Sequence, residues 1–289
     1  MKQLLILSGK GGTGKTTTAS AFIRFAHPVA YADCDVDAPN LHLIHKPQGQ
    51  VTVKDYYGSD KAVIDQDLCI RCGLCYQHCH FDSIIRTENS YTVDLIKCEG
   101  CGVCEAICPA HAVTLQKDLA GELTLVHSDQ TFCTATLKMG RGNSGKLVSE
   151  VKKEMLKQTD DGELAIIDGS PGIGCPVISS ISGVDFILIV TEPSLSGLSD
   201  LDRIVRTAAT FRTPCAVCVN KYDTHKENTE KIRNYCTENA IPFAGCIPFD
   251  PMASKAINNG QTLADIDCPA RVALYSIYNN VIKLMQQEV

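Results

Sequence analysis

The chain has 289 residues, 44% of them hydrophobic. That length holds one large or two modest domains, and that composition fills a buried core. Its 27 Lys and Arg against 33 Asp and Glu leave a net charge of −6, so no domain-wide basic field exists for non-specific nucleic-acid binding. No apolar run of about 18 residues is present, and no membrane span is predicted.

The chain opens "MKQLLILSGKGG". Its short apolar run leads into a glycine-rich loop, not a cleavage site, and reads as a first buried strand over 3–8. A helix is expected from Thr16 to Phe25, then a second strand, "VAYADCD", over 29–35. The stretch 59–117 breaks the rhythm, and "ELTLVHSDQTFCTATL" (122–137) resumes it as a pair of strands. Further strands are expected over 163–170, 186–193 and 215–221, each an apolar run closed by polar or turn residues. Helices are expected over 145–158, 175–182, 197–211, 226–239 and 268–287, the first of these started by "GNSGK" with Asn143 or Ser144 as cap. Strands alternating with helices predict an α/β fold, a mainly parallel sheet covered on both faces.

Gly9, Lys10, Gly11, Gly12, Thr13, Gly14, Lys15 and Thr16 fit G-x-x-x-x-G-K-[ST], with a strand before and a helix after. The glycines let backbone N–H groups turn onto phosphates, and the following helix N-terminus favours negative charge. Lys15 is expected at the β- and γ-phosphates and Thr16 at Mg²⁺, with Thr17 next in the nucleotide site. Lys10 makes the loop K-G-G-x-G-K-T-T, the deviant Walker form, and here the chain resembles the MinD/ParA/nitrogenase-iron-protein group of P-loop ATPases. The resemblance implies an ATP-dependent homodimer in which Lys10 reaches the partner's nucleotide.

Two acid-bearing segments extend the resemblance. In "DCDVDAPN" (33–40), Asp35 is expected to orient the attacking water and Asp33 to lie near Mg²⁺, with Asp37 a weaker candidate. "AIIDGSPGIG" (165–174) ends an apolar strand at Asp168, the expected Walker B acid and Mg²⁺ holder. Gly169 and Gly172 would let that loop move with the γ-phosphate. The resemblance places Asn220 at the adenine edge, with Pro248 and Asp250 of "IPFD" lining the base. The "NKYD" at 220–223 also resembles a guanine-reading motif, but the loop type favours ATP.

Sixteen cysteines are present, eight of them in two runs. "VIDQDLCIRCGLCYQHCHFDSI" (63–84) matches "TVDLIKCEGCGVCEAICPAHAV" (92–113) at a fixed offset of 29 residues. Each run is C-x₂-C-x₂-C-x₃-C, the bacterial ferredoxin spacing, in which the fourth cysteine ligates the other cluster. One [4Fe–4S] cluster is therefore assigned to Cys69, Cys72, Cys75 and Cys108, and a second to Cys98, Cys101, Cys104 and Cys79. Gly73, Gly100 and Gly102 fit close backbone approach to the clusters. The second run ends Cys108–Pro109, whereas the first ends Cys79–His80, a departure that bears on the local turn. Zinc sites separate their C-x₂-C pairs by longer loops. The remaining cysteines fit the reducing cytoplasm of an anaerobic or facultative prokaryote. Cys215 and Cys218 lie three apart on a strand and so face opposite ways. Cys133 and Cys175 lie in regions where nitrogenase-iron-protein relatives bridge a cluster between subunits, without matching residue by residue.

The chain thus resembles a MinD-superfamily P-loop ATPase (1–58 and 118–289) carrying an inserted 2[4Fe–4S] ferredoxin domain (59–117). The leading expectation is an ATP-binding and ATP-hydrolysing iron–sulfur protein, with ATP, Mg²⁺ and two clusters as cofactors. Nucleotide-driven dimer and switch motion would drive electron transfer or iron–sulfur chemistry with a redox or iron–sulfur protein partner. An Mrp-like cluster carrier and a MinD- or ParA-like positioning or regulatory ATPase with redox-sensing clusters are the alternatives. The C-terminal stretch has only Arg271 and Lys283 as basic residues, which fits a core-packing helix and no stable membrane binding.

Overall fold

The structure, a computed structural model, describes residues 1–157 and 164–287. The expected helix end at 158 and strand start at 163 lie outside the described residues.

The elements run β1 (Lys2–Leu7), α1 (Lys15–Ala26), β2 (Ala30–Asp33), α2 (Leu41–His45), β3 (Gln50–Tyr57), β4 (Lys61–Ile64), α3 (Leu74–Gln77), β5 (Ile84–Arg86), β6 (Tyr91–Val93), α4 (Val103–Ala106), β7 (Val113–Gln116), β8 (Leu119–His127) and β9 (Thr131–Leu137). They continue with α5 (Ser144–Lys157), β10 (Leu164–Asp168), α6 (Cys175–Ile181), β11 (Phe186–Thr191), α7 (Leu195–Thr210), β12 (Cys215–Asn220), α8 (Lys226–Glu238), β13 (Phe243–Ile247), α9 (Pro251–Asn258) and α10 (Pro269–Gln287). Contacts divide the chain into two compact units, 1–53 with 123–136 and 144–289, and 54–122 with 137–143. The second unit takes in the cysteine repeat, its flanks and the separate segment 137–143.

A nine-stranded sheet has the order β13-β12-β11-β1-β10-β2-β9-β8-β3. Among the described residues the pairings from β13 through β12, β11, β1, β10 and β2 to β9 are parallel. The apolar runs that suggested strands are buried nearly throughout, as in β2, β10 and β11, because helices cover both faces of a parallel sheet. The carboxyl ends of β1, β2, β10, β11 and β12 therefore lie at one edge of the sheet, where open α/β sheets bind ligands. The phosphate loop, Asp33, Asp168 and Asn220 all stand at those ends.

The core of this unit joins Leu4, Phe22, Ile166 and Leu188 to Leu274 and Ile277 of α10. Each such side chain contributes about 1.5–3 kcal/mol on burial. The apolar stripe of α10 is thus used in packing, and Phe22 meets Tyr278 edge-to-face at 5.3 Å. Among the described residues no helix is long and apolar enough to cross a membrane. Cys218 joins this core beside Ala216, while Cys215 faces Cys236 of α8, so the two cysteines do lie on opposite faces of β12.

In the second unit the sequence repeat is also a backbone repeat. Helices α3 and α4 start at Gly73 (φ 78°) and Gly102 (φ 79°), 29 residues apart. Arg71 and Gly100 share a left-handed conformation (φ 58° and 66°), as do Asp82 and His111 (φ 48° and 49°). Asp65 Oδ1 accepts the N–H groups of Asp67 and Leu68, and Asp94 Oδ1 accepts those of Ile96 and Lys97. The two small antiparallel sheets, β4–β7 and β5–β6, each pair a strand from one half with a strand from the other. Gly100 has no room for a side chain, because a Cβ there would lie 1.9 Å from the Asp60 carbonyl oxygen. Within the same unit, the 137–143 segment is tied down by Arg141, whose guanidinium meets Asp118 at 2.9 Å and the Leu95 carbonyl at 3.2 Å. Asn143 is left-handed (φ 69°), and its amide donates to Ser59 Oγ.

Candidate functional site

The phosphate loop leaves β1 at Ser8 and enters α1 at Lys15. Gly14 precedes the helix in a left-handed conformation, φ 93°, where a Cβ would sit 2.2 Å from Asn220 Nδ2. Both facts require glycine. At Gly9 a Cβ would collide with Asp200 of α7, which fixes the loop's entry. Gly14→Ala is expected to weaken Mg·ATP binding about tenfold or more, because a left-handed alanine costs about 1–3 kcal/mol unless the loop moves. Equilibrium titration checks this, and unchanged affinity would show that the loop is not held as rigidly as the contact implies.

A cavity of about 380 Å³ opens over the loop, lined among others by Lys10, Gly11, Gly12, Lys15, Thr16 and Asp35. The N-terminus of α1 points its unpaired N–H groups and dipole at this space. Lys15 is almost wholly buried, and its Nζ lies 2.6 Å from Asp168 Oδ1 and 3.4 Å from Thr16 Oγ1. Burial alone would lower the Lys15 pKa, but the charge and hydrogen bond of Asp168 outweigh it and hold the ammonium above its ordinary value. Asp168 Oδ2 is buried without a hydrogen-bond partner. A partnerless carboxylate oxygen beside a threonine hydroxyl and the phosphate loop is a hard-oxygen arrangement that suits Mg²⁺.

Asp33, expected near Mg²⁺, stands where the charges of Asp168 and Lys15 act on it, and both of its carboxylate oxygens hold backbone N–H groups. Its Oδ1 accepts the Asp35 N–H and its Oδ2 accepts those of Asn40 and Leu41, at 2.9–3.0 Å. It therefore shapes the 34–41 loop. Burial, then the charge of Asp168, raise its pKa to about 7. That loop delivers Asp35 to the cavity wall, half-buried, with its pKa raised by burial against the pull of Lys15. Asp37 is exposed. The loop after β10 is anchored as well. Gly169 N–H donates to Ile6, Gly172 N–H donates to Ser8 at 3.0 Å, and the Ser170 hydroxyl donates to the Cys34 carbonyl.

A second cavity, of about 180 Å³, adjoins the first and shares Gly12, Gly14 and Thr17 with it. Asn220, Pro248 and Asp250 line it with Phe249 and Leu274. Asn220 already holds the protein. Its Nδ2 donates to the Thr13 carbonyl at 2.7 Å and its Oδ1 accepts the Lys221 N–H, leaving one N–H and one lone pair for a ligand. Asp250 lines this cavity and is also held by backbone N–H groups. It caps α9 through Met252 N–H at 2.9 Å and takes the Ala270 N–H at 3.3 Å. Asp223 of the N-K-x-D stretch accepts the Phe249 N–H, so its carboxylate fixes the cavity wall.

Lys10 is partly exposed, 3.5 Å from both Glu192 Oε2 and Ser196 Oγ. Lys221 binds the same Glu192 at 2.6 Å and also meets the Gly12 carbonyl. Sequence reasoning missed Glu192 and Lys221. The only signal for Glu192 was its place directly after a strand that ends at the ligand-binding edge.

In the second unit Cys98 is buried, Cys69, Cys75, Cys79, Cys104 and Cys108 are half-buried, and Cys72 and Cys101 are exposed. Most of them pack against a small core of Ala62, Ile64, Ile84, Tyr91 and Val113. One cavity brings together Cys69, Cys72, Cys75 and Cys108, so a thiol of the second run stands with three of the first. Cys104 stands near Cys98 and Cys101. The Ser83 N–H donates to Cys79 Sγ and the Ala112 N–H to Cys108 Sγ, again 29 residues apart. The turn after His80 thus has the same form as the turn after Pro109. Burial would raise the Cys79 pKa, but the hydrogen bonds from Ser83 outweigh it and hold the thiol below its ordinary value. Among the described residues no group of three or more His, Cys, Asp or Glu converges on a single metal-ion position. Cys133 lies fully buried in β9, away from any surface a partner subunit could share, while Cys175 is exposed at the start of α6.

Residues 4–263 match the family described as the CobQ/CobB/MinD/ParA nucleotide binding domain. An uncharacterized protein of Methanocaldococcus jannaschii is 32% identical over 96% of each chain. An iron–sulfur cluster carrier protein of Pyrococcus furiosus is 23% identical over 99% of this chain and 87% of its own. Among solved structures, the septum site-determining protein MinD of Pyrococcus horikoshii, complexed with Mg-ADP, superposes with a TM-score of 0.58. It is 18% identical, and the match covers 100% of this chain and 98% of that one. With its phosphate loop, its acids at the ends of parallel strands and this match over most of its length, the chain belongs to the CobQ/CobB/MinD/ParA nucleotide-binding family.

Proposed function

We propose that the protein is a Mg²⁺-dependent ATPase whose nucleotide cycle acts on two [4Fe–4S] clusters held by the 59–117 insert. The observation that carries the reading is the juxtaposition, in one chain, of the Lys15–Asp168 phosphate site with a two-fold cysteine repeat. In that repeat Cys108 joins Cys69, Cys72 and Cys75 around a common cavity.

The loop amides, Lys15 and Lys10 bind the phosphates, and Asp35 orients the water that attacks the γ-phosphorus as the bond to the leaving ADP oxygen breaks. Thr16 and Asp168 would hold Mg²⁺, which would supply charge neutralisation at the phosphates. Asp33 positions Asp35 through its loop. The Gly172 N–H bond to Ser8 ties the loop after Asp168 to the phosphate loop, so γ-phosphate occupancy is felt there. ATP-dependent pairing of two chains fits the family and the exposed Lys10.

The cysteines suit a cluster better than zinc. A zinc ion draws its thiolates to about 2.3 Å from one point, and among the described residues no three such groups converge in that way. Cys69, Cys72, Cys75 and Cys108 would hold one cluster, and Cys98, Cys101, Cys104 and Cys79 the other. Bound clusters would supply one-electron chemistry, and the backbone N–H groups aimed at Cys79 and Cys108 would favour the thiolate form. The partner is a redox or iron–sulfur protein.

An anaerobic EPR redox titration with and without Mg·ATP tests the coupling. Binding and reduction are linked reciprocally, so tenfold coupling appears as a shift of about 60 mV. Intact clusters with bound ATP and no shift would overturn the coupling. The resemblance to the Pyrococcus cluster carrier favours a second reading, cluster donation. ATP-dependent cluster transfer to an apo-acceptor, in place of a potential shift, would select it. The positioning-ATPase alternative draws no support from α10, whose apolar face is occupied by the core.

A further inference from the structure

Glu192 follows β11 and touches neither cavity wall, yet it binds one lysine from each. Lys10 belongs to the phosphate cavity and Lys221 to the adjoining one. The acid itself is fixed. Its carbonyl accepts the Ser194 N–H at 2.8 Å, and Gly197 packs so closely that a Cβ would stand 2.4 Å from that carbonyl oxygen. The lysines are freer, 39% and 36% exposed, against 19% for Glu192. A largely buried carboxylate on an anchored backbone, paired with two more exposed lysines beside a site for polyanions, is a competitor for the ligand's own charge partners.

We infer that Glu192 is a counter-ion latch that holds Lys10 and Lys221 beside the phosphate loop and yields them to a nucleoside triphosphate, making it a specificity-determining residue. The inference rests on the reading above, in which phosphates occupy the loop. A diphosphate seated on the loop amides and Lys15 leaves Lys10 on Glu192. A triphosphate brings the extra charge that draws Lys10 away. The latch therefore sets how strongly the protein prefers triphosphate over diphosphate, and it opposes premature engagement of Lys10.

The test is Glu192→Gln in the full chain, titrated with Mg·ADP and with a non-hydrolysable Mg·ATP analogue. Exposed ion pairs are modest, so the triphosphate-to-diphosphate preference should rise about fivefold, and the rise should shrink with added salt. Glu192→Asp, which keeps the charge, should retain the wild-type preference. In a Lys10→Ala, Lys221→Ala background, Glu192→Gln should no longer change the preference, because both groups it restrains are gone. Equal weakening of both nucleotides would overturn the latch and leave Glu192 as loop scaffolding, as would an unaltered preference. A wild type that binds neither nucleotide would instead remove the reading on which the latch rests.

Discussion

Lys15→Met should abolish ATP hydrolysis and, in the nucleotide-free protein, lower stability by about 3–5 kcal/mol. The second effect follows because breaking a buried ion pair leaves an uncompensated charge. Lys15 and Asp168 are 6% and 0% exposed and 2.6 Å apart, so water cannot replace the lost partner. Against a typical total of about 5–15 kcal/mol the loss should be plain in chemical denaturation. The pH dependence has a definite sign. Asp33 already stands near 7 in the folded protein against an ordinary value of 3.8, so the folded state holds the extra proton between those values. Stability from this group is therefore greatest at low pH and declines as pH rises through that window. Without the Lys15 charge, Asp33 faces the Asp168 carboxylate in a buried site with no cation, and its proton affinity rises further. The variant's deficit should thus be larger at pH 8 than at pH 5. Adding Asp168→Asn should restore most of the stability and none of the activity. If the double variant were as unstable as Lys15→Met, the ion pair would not be what holds this site together.

The parallel sheet was legible because its strands are local objects. "FILIVT" and "LAIID" are short apolar runs that no amphipathic helix would contain, and each ends at a turn. The phosphate loop was legible because its chemistry needs particular residues at fixed spacing, and the cysteine module because its period repeats. What could not be read lacks a local signature. Strand β3 is exposed almost throughout, so burial left no alternation to recognise. Strand β13 is half-buried and interrupted by Gly245 at φ 144°. The attachment of 137–143 to the second unit depends on Arg141 meeting Asp118 and Leu95, partners far away in sequence. Glu192 and Lys221 are ordinary charged residues until the strand order brings β11 and β12 beside β1. The backbone contacts of Asp33 and Asp250 were hidden for the same reason. Carboxylates in the expected places turned out to be answering backbone N–H groups, and which N–H groups lie within reach is decided by the tertiary structure.

The cysteine assignment makes the second large prediction. Anaerobic reconstitution with iron and sulfide should load about eight irons per chain. Cys75→Ala and Cys108→Ala, although in different runs, should each remove the same cluster and leave about four irons, with one EPR signal remaining. Cys104→Ala and Cys79→Ala should remove the other. The decisive variant is the pair Cys75→Ala with Cys108→Ala. Ligation across the runs leaves the second cluster intact, because Cys98, Cys101, Cys104 and Cys79 are all present. Ligation within each run damages both clusters, and the chain would then hold almost no iron. The geometry favours the first outcome, since Cys108 lines the cavity of Cys69, Cys72 and Cys75. The proposed ligation would also tie the two halves to one another. A cluster that takes three thiolates from one half and one from the other staples them together, as β4–β7 and β5–β6 do in the backbone. Removing one cluster should therefore loosen both halves, and hydrogen exchange in β4 and β7 should rise even when the substituted cysteine lies in neither strand.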